Sequence, residues 1–153
     1  MFTDPFGTNA ITRAIIGGAI QVHKTIGAGV YENVYNECMQ YELKQHGLSF
    51  LTNRAAVLTY KGVQLNAKYY IDIVVENAVV LELKAVYELA EIHRRQVLTH
   101  LKLTGLPVGL LINFNVVTLT AGGIKRIINP GFGKPPRSGD DAAGDEPGSW
   151  IET

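Results

Sequence analysis

Residues 70–86 constrain the fold more than any other part of the chain. Their sequence is Tyr-Ile-Asp-Ile-Val-Val-Glu-Asn-Ala-Val-Val-Leu-Glu-Leu-Lys-Ala-Val. β-Branched residues dominate both halves and residues 76–78 separate them, which predicts two β-strands joined by a tight turn because Asn tolerates turn conformations. Three ionisable residues interrupt the apolar pattern: Asp72, Glu82 and Lys84. Because side chains alternate across a strand, Glu82 and Lys84 share one face of the second strand.

The register of this hairpin decides whether Asp72 lies beside Glu82. A two-residue turn would send Asp72 to the opposite face, whereas a three-residue turn over residues 76–78 pairs Asp72 with Glu82. The second register also collects the apolar residues of both strands on one face, and a slip of one residue would mix charges into it. These residues are Ile71, Ile73, Val75, Leu81 and Leu83. We therefore expect two adjacent carboxylates, whose repulsion a hard divalent cation would relieve.

An ordinary solvated hairpin explains the same three ionisable residues. In that interpretation they lie on the wet face of an antiparallel pair, and Lys84 pairs with Glu82 or Asp72. On this stretch alone the solvated hairpin is the better interpretation. The metal site therefore depends on what else the chain carries.

Length and composition are typical of one globular domain. The chain has 153 residues, of which 46% are hydrophobic and 18% charged, and no apolar run approaches the roughly 20 residues that span a bilayer. The first residues lack the pattern of a secretory signal, and the single cysteine, Cys38, allows no internal disulfide. We therefore expect a cytoplasmic protein with no membrane partner.

Charge is unevenly distributed although the chain is formally neutral. Residues 130–153 carry two basic and five acidic side chains, so the preceding body has a net charge of +3. A mildly basic body is compatible with a phosphate-rich partner but does not demand one. The Gly-, Pro- and Asp-rich composition of residues 130–153 predicts a flexible tail after a domain over residues 1–129.

Periodicity and breaker residues predict an α/β (α+β) fold with a mixed sheet flanked by helices. Gly17 and Gly18 in the first helix suggest that another element approaches its backbone closely. The inner surface of the second helix is expected to include Val34, Cys38, Tyr41 and Leu43. The predicted elements are a helix from Thr8 or Asn9 to about Thr25, a helix from Tyr31 to Gly47, a strand over Ala55–Tyr60, the central hairpin, a helix over Glu88–Thr104, a strand over Val108–Phe114, and a last hairpin formed by Val116–Thr120 and Ile124–Ile128.

A second motif adds to the hairpin. The segment Gly29-Val-Tyr-Glu32-Asn-Val-Tyr35 resembles the signature of the GxxExxY family, a group similar to the PD-(D/E)XK nuclease superfamily. The resemblance runs from about Ile11 to Ile128 and includes the Asp-x9-Glu-x-Lys pattern and a following glutamine. It implies a restriction-endonuclease-like core sheet with helices in front and behind.

The resemblance also implies roles for individual residues. Asp72 and Glu82 would hold a divalent metal, normally Mg²⁺ with Mn²⁺ as a substitute, and Glu32 would add a third carboxylate. Lys84 would orient or activate the attacking water and stabilise the pentavalent phosphate, and Gln96 would complete the site. The implied activity is hydrolysis of phosphodiester bonds in nucleic acid, with DNA favoured over RNA.

Two positions depart from the superfamily pattern. Ile71 replaces the proline that precedes the aspartate, and His100 stands where a tyrosine is expected four residues after Gln96. His100, together with Tyr35 and Arg94, is a candidate for contact with substrate. The ordinary alternatives are a core or surface histidine and, for Arg94, a solvated helix face.

Other functions fit the same sequence. A nuclease fold without catalysis could bind nucleic acid or a partner protein, and a small-molecule metalloenzyme would show a closed pocket rather than an open groove. A homodimer is plausible because cutting both strands of a duplex needs two sites.

Overall fold

Three helices and six strands follow one another along the chain in an order close to the predicted one. The computed structural model describes residues 4, 7–133 and the backbone of 151–152. Most of the predicted tail, residues 134–150 and 153, lies outside the described residues. The elements are α1 (Asn9–Ile26), α2 (Glu32–Gln45), β1 (Phe50–Tyr60), β2 (Val63–Val75), β3 (Val79–Lys84), α3 (Glu91–Thr104), β4 (Val108–Asn113), β5 (Ile124–Ile128) and β6 (Ile151–Glu152).

The strands form one mixed sheet in the order β1-β2-β3-β4-β5-β6. Neighbouring strands are antiparallel except β3 and β4, which are parallel and are connected through α3. Every residue of β4 is buried, as expected for a strand that is covered on both faces. The predicted α/β class with a mixed sheet is therefore confirmed. Among the described residues, no helix combines the length and the apolarity that crossing a membrane requires.

The helices cover opposite faces of the sheet. α1 and α2 pack on one face, where the buried set includes Ile15, Met39 and Leu81, while α3 packs on the other face through Val97 and Leu101. The close approach predicted at the two glycines of α1 occurs at one of them. A Cβ on Gly18 would lie 3.0 Å from Cβ of Glu42 on α2, whereas a Cβ on Gly17 would have nothing within 4 Å.

The predicted inner surface of α2 is partly wrong. Tyr35 and Met39 are buried together with Leu43, while Val34 and Tyr41 are exposed. The helix is thus rotated relative to the prediction, because the ring of Tyr35 reaches the aromatic ring of Phe114, which follows β4.

The strand predicted over residues 116–120 is wrong as well. Residues 115–122 form bends and turns, and Val117 is 99% exposed. Asn113 N donates to Gly123 O at 2.7 Å, which closes this loop and leads directly into β5. Helix α3 also begins at Glu91, three residues later than the sequence predicts.

Candidate active site

The turn between β2 and β3 has the predicted register. Val75 pairs with Val79 across a three-residue turn, and Ile73 pairs with Leu81. Glu76 and Asn77 both adopt left-handed backbone conformations, with φ of 53° and 47°. The hydrophobic pattern thus correctly indicates the register that directs Asp72 toward Glu82.

The two carboxyl groups replace the main-chain pairing beyond Ile73. Asp72 Oδ2 accepts a hydrogen bond from Leu83 N at 2.9 Å, and Asp72 N donates to Glu82 Oε1 at 3.4 Å. Across the sheet, Asn53 of β1 has a left-handed φ of 52°, while pairing continues on both sides of it. β2 therefore bends at Asp72 and presents its side chain beside that of Glu82.

This bend corrects the predicted grouping of the apolar residues. Ile73 packs on the side of α1 and α2, but Ile71 belongs to the cluster under α3. Alternation would place these two residues on the same face, so the phase of β2 changes at the residue between them, Asp72.

Glu82 is buried against a histidine of α3. Its side chain is only 5% exposed, and Oε1 lies 2.8 Å from Nδ1 of His100 without the alignment of a hydrogen bond. The ring of Tyr69 meets the edge of the His100 ring at a centroid distance of 5.8 Å. His100, predicted as a candidate for substrate contact, therefore packs behind Glu82 in the interior.

A polar groove of about 470 Å³ lies between α2 and the sheet. Asp72 and Lys84 line it from the sheet, and Glu32 lines it from the first turn of α2. Most of the other lining groups are amides or hydroxyls that can donate hydrogen bonds. The full lining is Glu32, Asn33, Asn36, Glu37, Gln40, Thr52, Asn53, Asp72, Leu83 and Lys84.

Burial and a like charge dominate the electrostatics of Asp72. Burial, and then the negative charge of Glu82, raise the pKa of Asp72 to about 7, although the hydrogen bond from Leu83 and the charge of Lys84 oppose the rise. A carboxyl group with this pKa is the expected result when two acids share a site without a cation between them.

His93 is a site residue that the sequence analysis notes only as a neighbour of Gln96 on one face of α3. Burial, and then the charge of Lys84, lower the pKa of His93, while the charge of Glu32 opposes the shift. Its Nδ1 accepts a hydrogen bond from Ala90 N at 2.9 Å, so in the neutral ring Nε2 carries the proton. His93 thus offers a neutral donor near Lys84.

A comparison with protein families now decides the class. The family model of the PD-(D/E)XK nuclease superfamily matches residues 9–127. The chain belongs to the PD-(D/E)XK nuclease superfamily. Neither curated proteins nor solved structures give a match, and the narrower resemblance to the GxxExxY group stays a prediction. The match covers Asp72, Glu82 and Lys84, which supply the acidic and basic positions of the superfamily name.

Two further α3 residues of this nuclease-superfamily domain differ in their surroundings. Gln96 is half-buried, and its Oε1 is buried without a hydrogen-bond partner among the described residues. Arg94 is only 6% exposed and pairs with Glu91, with Nη2 to Oε1 at 2.6 Å. A solvated helix face is therefore wrong for Arg94, although Arg95 next to it is exposed.

Tyr35 of the GxxExxY-like signature is a core residue. Its side chain is fully buried, its ring stacks on Phe114 at 4.3 Å, and its hydroxyl donates to Gly27 O at 2.6 Å. These contacts hold the connection between α1 and α2. Contact with substrate is not expected of a side chain in this position, so we leave Tyr35 out of the proposal below.

The residues present fit a divalent metal held by two carboxylates. Members of this superfamily generally use divalent metals, and Mg²⁺ takes one or two protein carboxylates and keeps several waters. Asp72 and Glu82 are adjacent and share an unrelieved repulsion. Within the described part of the chain, no three acidic, His or Cys side chains converge as a metal cluster, so Glu32 does not complete the predicted three-carboxylate set in this conformation.

Proposed function

We propose that this chain is a Mg²⁺-dependent nuclease that hydrolyses phosphodiester bonds, with DNA favoured over RNA as substrate. The observation that carries the proposal is the bend of β2, which places the carboxyl group of Asp72 against Glu82 at the foot of a groove that Lys84 also lines. The same three residues lie in the segment that matches the superfamily.

Each residue has a distinct part in the proposed reaction. Asp72 and Glu82 would hold the divalent ion, which when bound neutralises charge on the scissile phosphate and activates a water. Lys84 places a positive charge where negative charge grows on the phosphate oxygens in the transition state. His93 is neutral at pH 7 because its pKa is lowered below 6.5, and its Nε2–H can donate to a phosphate oxygen.

The shape of the groove supports a polymeric substrate. Glu32, Asn33 and Glu37 on one wall and Thr52 and Asn53 on the other are exposed to solvent. A closed pocket, which a small-molecule metalloenzyme would need, is therefore not what these walls form. An open groove lets a chain of nucleotides lie across the site.

A module that binds without cutting is the second candidate. It is favoured by the lack of a three-residue metal cluster among the described residues and by the zero net charge of the chain. Divalent-ion binding separates the two functions, since an interaction module does not need it. A homodimer and a cytoplasmic location stay predictions from the sequence.

Calorimetric titration of Mg²⁺ and Mn²⁺ into the wild type tests the metal site first. We expect binding that Asp72→Asn and Glu82→Gln each abolish and that Glu37→Gln, a neutralised carboxylate elsewhere in the same groove, leaves unchanged. Wild-type protein that binds neither ion, alone or with a short oligonucleotide present, would rule out the enzyme.

Cleavage of labelled single- and double-stranded DNA and RNA tests the chemistry. Loss of one electrostatic donor to a transition state typically costs 100-fold or more in rate. We therefore expect Lys84→Ala to reduce cleavage by about 100-fold while metal binding is retained. Equal cleavage by Lys84→Ala and wild type would remove Lys84 from the mechanism.

A further inference from the structure

The long hairpin of β1 and β2 extends beyond the part of the sheet that the helices cover. Every residue from Val63 to Tyr70 is exposed, and β1 is the edge strand of the sheet. Lys61 and Gly62 form the turn at its tip with φ of 47° and 79°, a pair of positive values typical of a tight two-residue hairpin. The hairpin is therefore an ordered arm with unoccupied surface.

One face of this arm continues the groove. Tyr69 faces α3, because its ring contacts His100 and it pairs with the buried Ala56. Alternation along the strand then places Lys68 and Tyr70 on the opposite face, the face toward α1 and α2. That face meets the groove at Asn53 and Asp72, which line its sheet side.

Charge and aromatic surface on the arm match a polynucleotide. Residues 50–71 contain three basic side chains and no acidic one, in a chain whose total charge is zero. The side chain of Tyr70 is 56% exposed and pairs across the strands with the small Ala55, which leaves its ring accessible. Lys68 lies two residues away, and Lys61 lies at the tip with its ammonium 5.4 Å from the ring of Tyr60.

We propose that this face of the hairpin binds the single-stranded segment that leads away from the cleavage site, with Tyr70 stacking on a base and Lys61 and Lys68 contacting phosphates. Exposed aromatic rings beside a few cations are the means by which proteins hold unpaired bases. A duplex hides its base faces, and three cations give little affinity for its backbone. The inference rests on the proposed nuclease function for its direction along the groove.

Binding of a fluorescein-labelled 12-nucleotide single strand, followed by anisotropy, tests the inference without cleavage. The titration is made in EDTA and again in Ca²⁺, with the matching duplex as competitor. We expect the single strand, as DNA or RNA, to bind several-fold more tightly than the duplex. Tyr70→Ala is expected to weaken single-strand binding about 5-fold or more, the loss typical of one stacked base.

The controls match the chemistry of each substitution. Tyr70→Phe keeps the ring and is expected to bind as the wild type does, and Tyr41→Ala removes an equally exposed tyrosine from α2 without effect. Lys68→Ala is expected to lower the slope of log affinity against log salt by about 0.7. Lys24→Ala, on α1, should leave that slope unchanged. If Tyr70→Ala fails to fold by circular dichroism, the Lys68→Ala slope decides alone.

Three results would overturn the inference. One is unchanged single-strand affinity in Tyr70→Ala, a second is duplex binding as tight as single-strand binding, and a third is no binding of any oligonucleotide in either buffer. Sedimentation that shows a dimer lost in Tyr70→Ala would assign the face to a second copy of the chain. A chain that binds but never cuts would contradict the nuclease function and leave this inference standing.

Discussion

Asp72 combines an acidic side chain, a bend in its strand and a carboxylate neighbour. The pKa of Asp72 rises from 3.8 to about 7 in the folded chain, so from about pH 4 to about pH 7 the folded state binds more protons than the unfolded state. The free energy of unfolding of the metal-free protein therefore decreases, through this group, as the pH rises across that window. A shift of about three pKa units corresponds to at most about 4 kcal/mol.

The matching prediction concerns Asp72→Asn, which keeps the shape and removes the charge. In EDTA we expect the variant to be about as stable as the wild type near pH 4 and more stable at pH 8, by up to about 4 kcal/mol. Urea unfolding at several pH values measures the difference. A difference that does not change with pH would show that the carboxylate is not held at a raised pKa.

Tyr35 allows a second test at the scale of one residue. Tyr35→Phe keeps the ring stacked on Phe114 but removes the hydrogen bond to Gly27 O. A lost hydrogen bond of this kind costs about 1 kcal/mol, so thermal or urea unfolding should show a loss of that size. Cleavage parameters should be unchanged. A raised KM with unchanged stability would instead restore the predicted contact between Tyr35 and substrate.

Adjacent glycines on α1 give a matched test of how the two N-terminal helices pack. Gly17→Ala adds a methyl group to open space, and we expect it to stabilise the protein by about 0.5–1 kcal/mol through helix propensity. Gly18→Leu inserts a side chain where Glu42 lies 3.0 Å away, and we expect a loss of about 1–3 kcal/mol. Gly17→Leu is the control for the side chain itself. Equal effects of leucine at both positions would contradict the close packing of α1 on α2.

Periodicity alone predicts some of these elements and fails for others. The register of β2 and β3 follows from the sequence, because only one register keeps charges off the apolar face. The rotation of α2 does not follow, since Val34 and Tyr35 each begin a series at helical spacing. The structure selects Tyr35 because a distant residue, Phe114, provides the stacking partner.

The irregular parts of the site depend on contacts that no short pattern records. The Val-Val-Thr run at residues 116–118 predicts a strand, but the hydrogen bond between Asn113 N and Gly123 O closes a loop there instead. The bend at Asp72 depends on the left-handed conformation of Asn53 on the neighbouring strand. The sequence thus predicts which acidic residues meet, whereas the bend that brings them together is seen only in the structure.

At the scale of the whole molecule, charge restricts how nucleic acid can bind. The chain has zero net charge, and the groove and the adjoining hairpin face offer Lys84, Lys68 and Lys61 as cations. Three phosphate contacts to a single strand correspond to a slope of log affinity against log salt of about −2. Affinity would then fall only about 20-fold between 50 and 200 mM salt, whereas proteins with six to ten phosphate contacts lose about 1,000-fold or more.

We therefore expect single-strand affinity to decline with a salt slope close to −2, and base stacking to maintain binding at high salt. Anisotropy titrations at several salt concentrations in EDTA measure this slope. Tyr70→Ala should lower affinity at every salt concentration with little change in slope, because stacking releases no counterions. Lys61→Ala should reduce the slope by about 0.7. A wild-type slope steeper than about −5 would require a basic surface larger than these three lysines, and binding would then rest on phosphates rather than on bases.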